Sequence, residues 1–90
     1  MSEQLEIRIG EDNVLEYHED MQYMYIEYIQ AREQGKGKVM LDHLLTLTNK
    51  PIVAEVNYKN MIARRFFEKN GFEDEGLSEY LITYVLPRRK

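Results

Sequence analysis

The run Arg32-Glu33-Gln34-Gly35-Lys36-Gly37-Lys38-Val39-Met40-Leu41 marks a change of period in the chain. Before it, strand-forming residues prevail. After it, Val39, Met40, Leu41, Leu44, Leu45 and Leu47 recur at helical spacing. Two glycines sit at the joint, where positive φ and a close approach of another group to the backbone are permitted. A strand therefore runs into a glycine turn and then an amphipathic helix. Asn49-Lys50-Pro51 ends that helix, because a residue before proline disfavours helical backbone.

Working upstream, Leu5, Ile7 and Ile9 alternate with Glu6 and Arg8, the period of a half-buried strand, and Gly10 to Asn13 supply turn chemistry. Residues 14–18 read as a second strand paired with the first. Glu19-Asp20 breaks that run, and the Tyr, Met and Ile content of 22–30 predicts a third, longer strand. Working downstream, 52–56 is almost continuously apolar and reads as a strand buried on both faces. Asn57 reads as the cap of a second helix over 58–69, with Ile62 and Phe66 on its inner stripe and Asn70-Gly71 as its left-handed stop. Phe72 then leads through an acidic turn to a last strand over 80–86. The order β-β-β-α-β-α-β(β) defines an α+β fold: an open mixed sheet with helices packed on it. Residues 1–30 form the antiparallel meander, 31–72 the α-β-α unit and 73–90 the last strand and tail of one domain.

At 90 residues and 10.8 kDa there is room for one core only. With no cysteine there is neither a disulfide framework nor a thiolate nucleophile, and two histidines make a metal site unexpected. No stretch of about eighteen apolar residues occurs, so no membrane partner is expected and a cytoplasmic location is the simplest reading. The net charge of -4 is unevenly spread. Residues 1–35 hold nine acids against two arginines, whereas 36–72 hold seven bases against three acids. An acidic whole argues against nucleic acid, which needs a broad basic surface. The basic middle suits one small polyanion.

The glycine turn is where such an anion would sit. Unpaired amides at the start of a helix point at one spot, and Arg32, Lys36 and Lys38 surround it with positive charge. The spacing matches neither the Walker pattern nor the three-glycine dinucleotide fingerprint. By itself the turn is also compatible with a tight connection and nothing more.

Arg32-x-x-Gly35-x-Gly37, running into a helix, resembles the cofactor motif of the GNAT acetyltransferase superfamily, Q/R-x-x-G-x-G/A. A second block, Asn60-Met-Ile-Ala63-Arg-Arg-Phe-Phe67-Glu-Lys-Asn-Gly-Phe72, is similar to the later helix and strand start of that family. The resemblance covers roughly residues 23–86. It implies acetyl-CoA as ligand, with its pyrophosphate on the amides of Gln34, Gly35, Lys36, Gly37 and Lys38 beside Arg32. It further implies that the pantetheine arm lies between the third strand, near Ile29, and the strand at 52–56, with Asn60 and Phe67 contacting it from the second helix. The activity implied is transfer of acetyl to a primary amine by direct attack.

Such transfer needs a base for the ammonium proton, donors for the oxyanion and often an acid for the thiolate. Glu27 stands where the family often places its base, and Glu55 is a weaker candidate. Many members protonate the thiolate with a tyrosine on the second helix, but the matching residue here is Phe67; Tyr58 or a tyrosine of the third strand is the available substitute. Glu27, Tyr28 and Ile29 replace the Val-x-Pro usual before the arginine. The family normally carries a strand and one or two helices before the meander, which line the acceptor; their lack leads to the expectation of a homodimer or of an open site taking a protein. The -7 of residues 1–35 favours a basic acceptor or partner. The alternative is a catalytically degenerate module that binds acyl-CoA or a protein, and a plain structural domain with an empty turn is a third reading.

Other residues read more simply. Tyr17, Tyr23, Tyr25 and Tyr28 suggest cross-strand packing, Met21, Met24, Met40 and Met61 core filling, Asp42-His43 and Arg64-Arg65 solvated helix faces, and His18 a contact with its acidic neighbours.

Overall fold

The computed structural model describes residues 4–88; the terminal Arg89-Lys90 pair read as part of a solvated tail lies outside them. Eight elements follow in order: β1 (Leu5–Ile9), β2 (Asn13–Glu19), β3 (Met24–Ala31), α1 (Lys36–Leu47), β4 (Ile52–Asn57), α2 (Met61–Lys69), β5 (Glu73–Ser78) and β6 (Leu81–Leu86). The strands form one mixed sheet in the order β1-β2-β3-β4-β6-β5, antiparallel except for the β3–β4 pair. The α+β class and the open mixed sheet expected from the sequence are what the chain forms.

Register shows where the core lies. Residues paired across strands share a face, and Tyr17, Ile26, Ala54 and Tyr84 form one row across the sheet. All four are buried together with Met40, Leu41 and Leu44 of α1 and Phe67 of α2. Both helices therefore pack on the same face. The opposite face carries the row His18, Tyr25, Val53, Val85 and Glu73, and no described helix covers it. This corrects the reading of β4 as buried on both faces. Ile52, Ala54 and Val56 are buried, whereas Glu55 and Asn57 on the other side are exposed.

Four further expectations are overturned. Helix α2 begins at Met61, capped by Asn60, whose Oδ1 accepts from the Ala63 amide at 3.2 Å. Asn57 instead takes the Lys59 amide on its own side chain at 2.9 Å and steers the chain toward that cap. Ile62 is 83% exposed, whereas Phe66 is partly buried against the core and Phe67, at 2%, is the innermost residue. Small Ala63 one turn earlier lets α2 settle onto the sheet, and Phe67 stacks among Phe72 and Tyr84 with ring centroids 4.9 and 6.0 Å away. The acidic segment after Phe72 is a strand rather than a turn: every residue of β5 is exposed, so its pairing with β6, not burial, holds it, and charge on an edge discourages further pairing. Met21 is 94% exposed and Met61 is also on the surface; among the described methionines only Met24 and Met40 fill the core.

The two faces of α1 predict opposite responses. Leu44 is fully buried against the sheet, so Leu44→Ala should cost about 2–5 kcal/mol in urea unfolding. Val39 is half exposed on the outer face, and Val39→Ala should stay within about 0.5 kcal/mol.

Candidate functional site

The parallel pair β3–β4 is short. Register runs Met24↔Ile52, Tyr25↔Val53 and Ile26↔Ala54, and pairing ends there although both strands continue. The cause lies on the other edge of β3. Tyr17 of β2 faces Ile26, but Glu16 faces Tyr28, so Glu27 is an extra residue with no register partner. Such a bulge bends its strand and re-aims side chains. Beyond it β3 leaves β4, and a slot of about 180 Å³ opens between them.

Residues from both faces of the sheet line that slot. Ile26, Ile29, Ala54 and Val56 come from the helix side, Glu27, Tyr28, Glu55 and Asn57 from the open side, and Asn60, Ala63 and Phe67 reach in from α2. Of the residues singled out in the sequence, Glu27, Ile29, Asn60 and Phe67 are thus brought together. The slot sits at the carboxyl ends of two parallel strands, the usual ligand position in sheets of this kind. A larger depression of about 670 Å³, between Met21, Tyr23, Leu47 and Lys50, lies at the opposite ends of the same strands and gathers none of the predicted site residues.

Next to the slot, β3 turns into α1 through Arg32 to Gly35. Gly35 is the N-cap at φ 83°, a left-handed conformation that favours glycine. No side chain caps the helix, and no acid lies in its first turn. Lys36 N donates to Glu33 O at 3.2 Å, while Gly37 and Lys38 stand in the first turn, where an α-helix has no carbonyl of its own to offer. The result is an open, positively polarised helix end. Gly37 is needed for packing: a Cβ there would meet the Phe66 ring at 3.0 Å, so the glycine lets α1 start tight against α2. Arg32, Gln34 and Gly35 are exposed, Lys36 is partly so, and Lys38 pairs with Asp42 at 2.9 Å.

Asn13 was not singled out in the sequence, yet it holds this turn. Its side chain is completely buried: Oδ1 accepts from the amides of Arg32 at 3.1 Å and Glu33 at 3.3 Å, while Nδ2 donates to Ile9 O at 3.0 Å and Glu33 Oε1 at 2.9 Å. It had been read only as turn chemistry after β1, and a contact spanning nineteen residues leaves no local pattern. His18 was read beside Glu19 and Asp20, but its partner is Glu27, with Nδ1 at 2.7 Å from Oε1, and its ring stacks on Tyr25 at 4.8 Å. The Tyr25 hydroxyl donates to Asp20 at 3.0 Å, and that bond holds the phenol above its ordinary titration range. A chain of contacts from the β2–β3 turn thus fixes Glu27 at the slot. Tyr84 is buried behind Phe67, its hydroxyl donating to Glu68 at 2.6 Å and accepting from Arg64 Nε at 3.2 Å; burial first, and Glu68 second, keep it protonated. Glu55 lines the slot, while Tyr58 does not. Among the described residues no three His, Asp or Glu side chains are arranged to hold a metal, and no helix is long and apolar enough to cross a membrane.

This geometry has solved counterparts. The chain is similar to the anti-CRISPR protein AcrVA5, with a TM-score of 0.72 and 15% identity over 89% of this chain and 96% of that one. It is also similar to a protein from Bacteroides thetaiotaomicron described as an acetyltransferase of the GNAT family, with a TM-score of 0.63 and 25% identity over 88% of this chain. The match spans 56% of the length of that acetyltransferase. No family model and no curated protein matches the sequence. The fold, a six-stranded mixed sheet with β3 and β4 parallel and two helices, is that of the GNAT acetyltransferase superfamily.

Replacing Asn13 with Ala removes the acceptor of the Arg32 and Glu33 amides and the side-chain donor to the Ile9 carbonyl. It should cost about 1–3 kcal/mol in denaturant unfolding and speed hydrogen exchange at the Arg32 and Glu33 amides more than in β6.

Proposed function

We propose that this protein is an acetyl-CoA-dependent N-acetyltransferase acting on a primary amine. The observation that carries the reading is the juxtaposition of two features: an uncapped helix start ringed by Arg32, Lys36 and Lys38, and a slot through the sheet beginning at the Glu27 bulge. A diphosphate fits the first and an extended thioester arm the second. The amides of Gly35, Gly37 and Lys38 receive the diphosphate, with Gln34 beside them and the Lys36 amide held by Glu33 O. Backbone of β3 around Ile29, left without β4, pairs with the amide groups of the arm, and Asn60 and Phe67 flank it from α2. The acetyl group then faces the open side of the sheet.

On that side Glu27 is the base. An amine arrives as its ammonium and must lose a proton before its lone pair can attack the carbonyl carbon. Glu27 Oε1 is occupied by His18 Nδ1, which leaves Oε2 to take that proton. Glu6, Glu16 and Glu55 lie on the same face as His18 and Tyr28 by register, so a cationic acceptor is drawn toward the slot. An acceptor that is itself a protein side chain can reach a slot opening onto a flat sheet. Phe67, where a tyrosine would supply a proton, is the feature that favours the rival reading, an acyl-CoA-binding module without turnover.

Calorimetric titration with acetyl-CoA tests the ligand: binding at micromolar concentration is expected, and no heat at high micromolar ligand would overturn both readings. Gly35→Asp puts a carboxylate at the helix start in place of the phosphate and should abolish that heat; because φ at this position is 83°, a far-UV circular dichroism spectrum matching wild type is the control that separates loss of the site from loss of the fold. An amine panel with thiol-release detection separates enzyme from binder. There, Glu27→Gln should lower kcat by about 100-fold or more with acetyl-CoA affinity unchanged; retained turnover would remove Glu27 from the mechanism.

A further inference from the structure

A strand normally sends consecutive side chains to opposite faces. The bulge in β3 suspends that rule at Glu27. Glu27 reaches His18, which lies on the open face with Tyr25, and Tyr28 stands opposite Glu16 on the same face. Two neighbouring residues, a carboxylate and a phenol, are thereby presented side by side at the slot, and both line it. Resting on the acetyltransferase reading, we propose that Tyr28 is the acid that protonates the departing thiolate, in the role for which α2 offers only Phe67.

Elimination among the tyrosines supports this. Tyr84 touches Phe67 from behind but spends its hydroxyl on Glu68 and Arg64 and does not line the slot. Tyr17 is buried in the core on the helix face, and Tyr58 lies outside the lining. Among the described residues Tyr28 is the only tyrosine that lines it. Its hydroxyl donates to Gln30 Oε1 at 2.8 Å, and Gln30 Nε2 is in turn anchored on Asp12 O at 3.3 Å. That anchor fixes the phenol oxygen on the side of the slot nearer the glycine turn. Rotation about the C–O bond redirects the proton without moving the oxygen.

The step balances as follows. Glu27 takes a proton from the ammonium; the amine nitrogen bonds to the thioester carbonyl carbon; the C–S bond breaks with its electron pair on sulfur. Tyr28 gives its hydroxyl proton to that sulfur and recovers one from solvent, while the second proton of the attacking nitrogen also leaves to solvent. Base and acid are consecutive residues because one extra residue in β3 turned both to the same side.

Tyr28→Phe tests the proposal in two ways. In calorimetry the wild-type protein should bind CoA about threefold to tenfold more tightly than desulfo-CoA, the worth of one hydrogen bond to sulfur, and Tyr28→Phe should erase that preference while leaving desulfo-CoA affinity unchanged. In turnover, Tyr28→Phe should lower kcat by about 100-fold with little change in the KM for acetyl-CoA. Substitution of 3-fluorotyrosine at position 28 should restore most of the rate and move the alkaline limb of the kcat profile to lower pH. An unchanged CoA preference, or an unchanged kcat, in Tyr28→Phe overturns the role of Tyr28 while leaving the acetyltransferase intact. Absence of acetyl-CoA binding or of turnover in the wild-type protein overturns the functional reading and this proposal with it.

Discussion

One surplus residue in β3 governs the rest of the molecule. Because Glu27 has no register partner on β2, β3 bends and parts from β4 after three pairs. Had the ladder continued to Asn57, the backbone groups facing the slot would be satisfied by each other and the sheet would be closed. Instead it stays open where the helix start of α1 is also open. The opening is tolerable because its helix-side walls are secured by burial: Ile26, Ala54, Val56 and Phe67 belong to the core, so the two strands are fixed at their inner edges even though they do not pair.

Around that opening the chain divides its tasks by face. The helix face carries the apolar core and, at its rim, the positively polarised start of α1. The open face carries His18, Tyr25 and Glu27, joined by stacking and a short polar contact rather than by burial, with Tyr28 next to them and bonded to Gln30. Asn13 ties the β1–β2 turn to the backbone that leads into the helix. A buried amide with all its groups bonded is rigid, and rigidity is what a turn presenting bare amides requires.

Much of this architecture was legible as pattern. Alternation in β1, the helical spacing of Met40, Leu41 and Leu44, the proline stop and the glycine turn are local signals that burial and backbone sterics impose, and they led to the right element order and fold class. The misreadings share a cause. In α2, Phe66 packs against the core as its spacing suggests, but Ile62 shares that spacing and stays outside, and only the rings of Phe72 and Tyr84 settle that Phe67 is the residue turned fully inward. Strand β5 has no apolar alternation to detect, because edge pairing with β6 replaces burial. Glu27 was singled out for its place before the turn, but its contact with His18 was not, since the sequence alone could not reveal that register skips a residue between them.

What the sequence by itself determined is therefore the elements other than β5, their order and the place of the glycine turn, since these rest on interactions within a few residues. The tertiary structure alone decided that both helices share one face, that Asn13 and not a turn residue holds the helix start, and that Glu27 and Tyr28 point the same way. The physical reason is that register between strands depends on contacts between residues distant in the chain, and a shift of one residue exchanges which side chains meet.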